Sequence, residues 1–206
     1  MLDDRTDAGA ALAAALRDAG VEADLVVAIP RGGLPVARPV ADALGVPLDI
    51  VAAKKLGAPG DAEYAIGAAA PDGSAWLNED AIARLGVSDA YVAEARERAA
   101  ETARRKEETY RTGDPEPVAG RRVVVVDDGV ATGATMLASV RRLNEAGAAS
   151  VVVAVPVGPP DTLDRLRQEV DDVVALEEPA AFRAVGQFYR DFEQVTDDEA
   201  RAYLRR

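Results

Sequence analysis

The chain contains no histidine and no cysteine. Without cysteine there is no disulfide, zinc ribbon, iron–sulfur site or thiol nucleophile. Without histidine there is no Ser-His-Asp triad, no imidazole acid–base group and no histidine metal ligand. Lysine is nearly missing as well. Lys54, Lys55 and Lys106 are the only three, so arginine supplies 21 of the 24 basic residues. No run approaches the ~20 consecutive apolar residues of a membrane-spanning helix, so no membrane partner is expected. The opening segment, MLDDRTDAGA, is acidic and lacks the apolar core of a signal peptide. The chemistry that remains must use carboxylates, hydroxyls, backbone amides, Lys, Arg, or a hard cation such as Mg²⁺ held by oxygen.

Acid is what the chain has in excess. Asp and Glu number 36 against 24 Lys and Arg, a net charge of -12. That balance argues against nucleic-acid or anionic-membrane binding, which wants clustered positive charge. A cytoplasmic protein is expected, from a high-salt or a GC-rich proteome. At roughly 100–200 residues per domain, 206 residues make one domain. A chain of this length buries roughly 70% of its unfolded surface, enough for a sizeable core.

Three continuous apolar runs stand out: Leu25 to Ile29, Val123 to Val126 and Val151 to Val155. Apolar at every position, they read as strands covered on both faces, as in a parallel sheet. Weaker strands are expected over Leu48 to Ala53, Tyr64 to Ala70 and Asp172 to Leu176. Helical patterns lie between them. One runs over Ala10 to Ala19, and another over Val36 to Leu44 with Pro39 in its first turn and Gly45 as its stop. A third carries Met136, Val140 and Leu143, and a fourth Leu163, Leu166 and Val170. Alternation of strand and helix predicts a doubly wound α/β sheet, mostly parallel. Residues 79–112 interrupt the alternation. They hold a long charged helix, Ser88 to Arg111, expected to be solvated on one side and to pack through Ala95, Ala99 and Ala103. Residues 8–176 form the expected core, and 177–206 a small C-terminal hood and helix.

The segment Val123 to Thr135 reads V-V-V-V-D-D-G-V-A-T-G-A-T. A strand ends in two adjacent carboxylates, and a glycine-threonine loop then opens a helix. Loops at the carboxyl ends of parallel strands are where such sheets bind ligands. A helix N-terminus presents free N–H groups to phosphate. Asp127 and Asp128, acceptors only, suit a pair of neighbouring hydroxyls such as a ribose diol. The loop thus fits a sugar carrying both a diol and a phosphate.

This stretch resembles the PRPP-binding signature of the type I phosphoribosyltransferases. The resemblance implies that Asp127 and Asp128 bind the ribose hydroxyls, and that Ala131, Thr132, Gly133, Ala134 and Thr135 hold the 5′-phosphate. Mg²⁺ would arrive with PRPP, bridged through water to the two aspartates. Ile29-Pro30-Arg31-Gly32-Gly33 falls where the family binds pyrophosphate, which implicates Arg31, Gly32 and Gly33. Lys54 and Lys55, at the end of the second strand, fall where relatives place another basic pyrophosphate ligand. The Gly/Pro-rich stretch that follows them would belong to a mobile cover. Phe182 to Phe192 resembles the hood that sandwiches the base, with Phe182, Val185 and Phe188 as base-binding candidates. The branch resembled includes members fused to an α/β-hydrolase domain, for which this length leaves no room. Dimers are common in the family, so a homodimer is expected.

One departure matters. Ala131 stands where 6-oxopurine enzymes carry an aspartate for proton transfer to the base. Any general acid or base must come from elsewhere, and Glu63 and Asp191 are the candidates. The activity implied is transfer of phosphoribosyl from PRPP to a nucleobase or other nitrogen acceptor, with release of pyrophosphate. Two alternatives on the same fold are a non-catalytic sensor of PRPP or nucleotides and a ribose-phosphate hydrolase.

Overall fold

The computed structural model describes residues 1–111 and 113–205, with only the backbone described at residue 63. The frame is a five-stranded sheet built from β1 (Leu25–Ala28), β2 (Leu48–Ile50), β6 (Arg122–Val126), β7 (Ser150–Val157) and β8 (Asp172–Glu177). Their spatial order is β2-β1-β6-β7-β8, and every neighbouring pair is parallel. Alternate residues of each apolar run serve two different cores. Val26, Ala28, Val124, Val126, Val152 and Ala154 face α1 (Arg5–Asp18) and α2 (Gly33–Leu44). Leu25, Val27, Val123, Val125, Val151 and Val153 face α5 (Ala134–Glu145) and α6 (Pro160–Arg167). Apolarity at every strand position is therefore the requirement of a sheet covered on both sides.

A second, antiparallel sheet stands beside the first. It comprises β3 (Lys54–Ala58), β4 (Asp61–Ala69) and β5 (Ala75–Leu77), in that order. The expected strand over 48–53 is thus shorter, and Lys54 and Lys55 begin a new hairpin strand instead of ending the second parallel one. Glycine makes the hairpin possible, because a Cβ at Gly57 would lie 2.6 Å from Ala62 Cα. The expected insertion carries α3 (Glu79–Leu85) and α4 (Asp89–Tyr110). Helix α4 packs through Ala95, Ala99, Ala100 and Ala103, which extends the expected alanine stripe.

Helix α2 corrects a second expectation. It starts at Gly33, so Pro39 sits in its interior and not in its first turn. Proline there removes one hydrogen bond. The strongly apolar face, with Leu34, Val36, Ala37, Val40 and Ala41 all buried, holds the helix together regardless.

The C-terminal hood (a 3₁₀ turn over Val185–Phe188, then α7, Asp197–Leu204) is pinned by the other end of the chain. Leu2 N–H donates to Phe188 O at 2.9 Å, and Arg190 N–H donates to Leu2 O at 2.9 Å. Leu2, Ala8 and Tyr189 form a small core with Val185 and Phe188.

Candidate functional site

The carboxyl ends of β1 and β6 bring the two loop motifs together. Gly32 lies so close to the diacid that a Cβ there would be 2.1 Å from Asp128 Oδ2. A Cβ at Gly33 would be 2.8 Å from Val126 O. No larger residue fits at either position without moving the diacid or its strand. The Pro30–Arg31 peptide is cis. The Arg-Gly-Gly loop and the Asp-Asp loop, remote in sequence, are thus one packed unit.

Gly133 caps α5 at φ +75°, in the left-handed region that glycine tolerates. The first amides of α5, at Ala134 to Met136, have no partner within the helix and point out of its N-terminus. They line a pocket of about 150 Å³ together with Asp127, Val130, Ala131, Thr132 and Gly133. The loop is braced from α6. Thr162 Oγ1 donates to Ala131 O at 2.8 Å, and Arg165 donates to Thr132 O at 3.2 Å. All five residues expected to hold a phosphate, 131 to 135, line this one pocket.

The two aspartates differ. Asp127 Oδ1 accepts from the Asp128 amide at 2.8 Å. Burial, and then the charge of Asp128, push its carboxyl well above the ordinary range. Asp128 is also raised by burial, against the opposing effect of Arg5. Arg5 Nε donates to Asp128 Oδ2 at 2.8 Å, and both side chains are largely enclosed. Arg5 also donates to Glu193 O at 2.7 Å and lies 3.7 Å from the centre of the Phe192 ring. Tyr189 Oη donates to Asp128 O at 2.6 Å. The hood therefore reaches the diacid through Arg5 and Tyr189. Neither residue carried a local sequence signal, because their partners lie far away along the chain.

Arg31 extends from the glycine loop to α7, where its guanidinium donates to Asp197 Oδ1 at 3.0 Å. Tyr110 Oη donates to the same oxygen at 2.8 Å. Lys54 and Lys55 open β3 and line a groove of about 430 Å³ between the hairpin and α4. In the hood, the Phe182 and Phe188 rings stack at 5.4 Å and 28°. Val185 lies directly over Gly129, where a Cβ would come within 2.7 Å of its Cγ1. Asp191 is exposed, and its carboxylate accepts from the Glu193 amide at 3.1 Å. The Glu63 side chain lies outside the described residues. Among the described residues, no group of three or more acidic side chains is arranged to hold a metal ion. Among the described residues no helix is long and apolar enough to cross a membrane.

The site also includes a residue that sequence reading missed. Lys106 of α4 is half-buried, and its charge interacts with Lys54, Asp127 and Arg31. Desolvation, followed by the repulsion from Lys54, lowers its pKa below the ordinary lysine value. Its signal was rarity, since it is the third lysine of a chain that otherwise uses arginine.

A parallel five-stranded sheet with this diacid loop at its carboxyl edge and a C-terminal hood is the fold of the type I phosphoribosyltransferases. The family model for the phosphoribosyl transferase domain matches residues 2–193, and the chain belongs to that family. Among its relatives is a Mycobacterium tuberculosis protein provisionally named a phosphoribosyl transferase, 44% identical over 207 residues. That alignment takes in 100% of this chain and 47% of the relative, so the chain spans about half the length of the curated protein it matches. A uracil phosphoribosyltransferase of Streptomyces griseus is 40% identical over 65 residues, 32% of this chain and 31% of that one. The crystal structure of TT1426 from Thermus thermophilus superimposes with a TM-score of 0.83 at 43% identity, covering 99% of this chain and 98% of that one.

Proposed function

We propose that this domain transfers phosphoribosyl from PRPP to a nitrogenous base and releases pyrophosphate. The observation that carries the reading is the packing of Gly32 and Gly33 onto Asp128 and Val126. It sets a cationic loop, a diacid and a helix N-terminus around one point. On this reading the amides of 132–136 and the threonine hydroxyls hold the 5′-phosphate. Asp127 and the remaining oxygen of Asp128 accept from the ribose hydroxyls. Arg31, the Gly32 and Gly33 amides, and Lys54 and Lys55 face the diphosphate. The stacked Phe182 and Phe188, with Val185, form the hood side of the base site.

The reaction breaks the C1–O bond, and the electron pair departs with pyrophosphate. A base nitrogen supplies the pair for the new C1–N bond and loses its proton. Positioning and charge do most of this work, which suits a site without His or Cys. The residues present fit a magnesium ion delivered with the diphosphate and flanked by Asp127 and Asp128. Bound there, it would offset charge on the leaving group.

A second reading has its own support. Asp128 and Arg31 both have partners within the chain, Arg5 and Asp197. A domain that only senses PRPP would use such contacts to report ligand arrival. Incubation with PRPP, Mg²⁺ and pooled nucleobases, read by mass spectrometry, separates the two. A nucleotide product supports transfer. Binding without product supports a sensor, and loss of PRPP with no base present supports a hydrolase.

A further inference from the structure

The family signature accounts for the loops at the strand ends but leaves α4 without a task. Four of its residues share one face at helical spacing: Ala103, Lys106, Glu107 and Tyr110. Ala103, Glu107 and Tyr110 are buried, at 0%, 7% and 6% exposure. Each of the two polar ones is fixed to a strand-end segment. Glu107 accepts from the Ala52 amide, just past β2, at 3.1 Å. Tyr110 reaches Asp197, which in turn holds Arg31, just past β1. Lys106 lies between the buried Ala103 and the anchored Glu107, so the helix cannot turn it away from the sheet edge.

Its neighbours define where it points. Lys54 follows β2, Arg31 follows β1 and Asp127 follows β6. These are three adjacent strands of the parallel sheet. Lys106 is therefore within electrostatic reach of all three strand-end segments. Among the described residues no hydrogen bond or ion pair holds it. Two of its three charged neighbours repel it. The third, Asp127, is the one opposite charge among them. A half-buried cation facing two other cations destabilises the free fold, and such arrangements belong to sites that await an anion.

We propose that Lys106 is an anion-binding residue of this site, delivered by the insertion helix to receive, with Arg31 and Lys54, the diphosphate of the phosphoribosyl donor. The proposal rests on the phosphoribosyl-transfer reading and adds to it a ligand that the loop motifs do not contain. It gives the insertion a purpose: α4 closes the diphosphate side of the site, and the Glu107 and Tyr110 contacts hold the helix in register for it.

The test is calorimetric binding of inorganic pyrophosphate and of PRPP, each with Mg²⁺, to the full chain and to Lys106→Gln and Lys106→Arg. The unsubstituted chain is expected to bind both. Lys106→Gln should weaken both by at least about tenfold, the loss of one charge-assisted contact. Lys106→Arg should recover most of that loss. Melting temperature gives an independent readout. Lys106→Gln should melt at or above the unsubstituted chain, since it removes a repelled cation. If Lys106→Gln binds pyrophosphate within about twofold of the unsubstituted chain, the inference fails while the transfer reading stands. A fall of several degrees in melting temperature alongside the lost affinity would assign Lys106 a structural role and overturn the inference too. Should the unsubstituted chain bind neither probe, both ideas fall together.

Discussion

Replacing Glu107 by Gln tests whether the charged helix is held by a buried ionic network. Glu107 accepts from four donors: Ala52 N at 3.1 Å, Arg111 at 2.9 Å, and two nitrogens of Arg142. Arg111 is shared with Asp49 at 3.0 Å. Glutamine keeps one acceptor but turns an NH₂ group toward an arginine and removes the charge. Removing one partner of a fully buried pair costs about 3–5 kcal/mol. Arg111 keeps Asp49, and Arg142 is partly wet, so a value near the lower end, about 3 kcal/mol, is expected. For a chain of this size that corresponds to a fall of about 6–12 °C in melting temperature. Glu101→Gln on the same helix is the control. Its partners Arg104 and Arg105 are exposed, and its melting temperature should be nearly that of the unsubstituted chain. The pH dependence has a definite sign. Burial alone would raise the Glu107 carboxyl, but Arg142, the Ala52 amide and Arg111 outweigh it and hold the pKa below the ordinary 4.5. The contribution is complete above that value and drains away as pH falls through the folded pKa. The gap between the unsubstituted chain and Glu107→Gln should therefore narrow on acidification below about pH 4.5. The readout is thermal unfolding by circular dichroism over that range. If the two substitutions cost the same, or the gap ignores pH, the network does not hold the helix.

Three further outcomes follow from the site. Asp128→Asn should weaken PRPP binding sharply, since it removes an acceptor and strands Arg5; equal affinity in calorimetry would detach the diacid from the ligand. Asp197→Asn frees Arg31 from its α7 partner and should tighten pyrophosphate by a few-fold. No change would mean that Arg31 does not reach the diphosphate. Gly133→Ala forces φ +75° on a side chain and brings a Cβ to 2.8 Å from Thr162 Cγ2. It should cost about 1–3 kcal/mol in urea unfolding, with weaker phosphate binding, and a neutral effect would show that the loop is free to rearrange.

What the sequence made legible was local. The three valine-rich runs, the diacid loop and the helix it opens each declare themselves within about a dozen residues. The alanine stripe of α4 was legible for the same reason. The missed features depend on partners remote in sequence. Arg5 pairs with Asp128 and Glu193, so nothing near residue 5 announces it. Glu107 looks like a solvated helix charge until Ala52 and Arg142 of α5 are brought to it, and Lys106 until the strand-end charges are. The separate strand at Lys54–Ala58 was the exception, a local feature that went unread. Gly57 was its clue, as the glycine that lets the hairpin strands approach.

The partnering of the site's charges decides which contacts can yield to a ligand. A chain of net charge -12 sets Arg5 on Asp128, Arg31 on the loop packed against it, and Lys106 within electrostatic reach of Asp127. Two of these arginines are paired internally, but not equivalently. Arg31 meets an Asp197 whose side chain is 50% exposed, and a solvent-screened pair of that kind is worth little. On the proposed reading a diphosphate offers shorter, charge-assisted bonds of about 1.5–3 kcal/mol each, so this pair is the one expected to exchange. Arg5 and Asp128 are 12% and 14% exposed, and separating them would strand a charge at a cost of about 3–5 kcal/mol. That pair stays. Asp128 therefore keeps Oδ2 for Arg5, and on the proposed reading ribose recognition would fall to its Oδ1 and to Asp127.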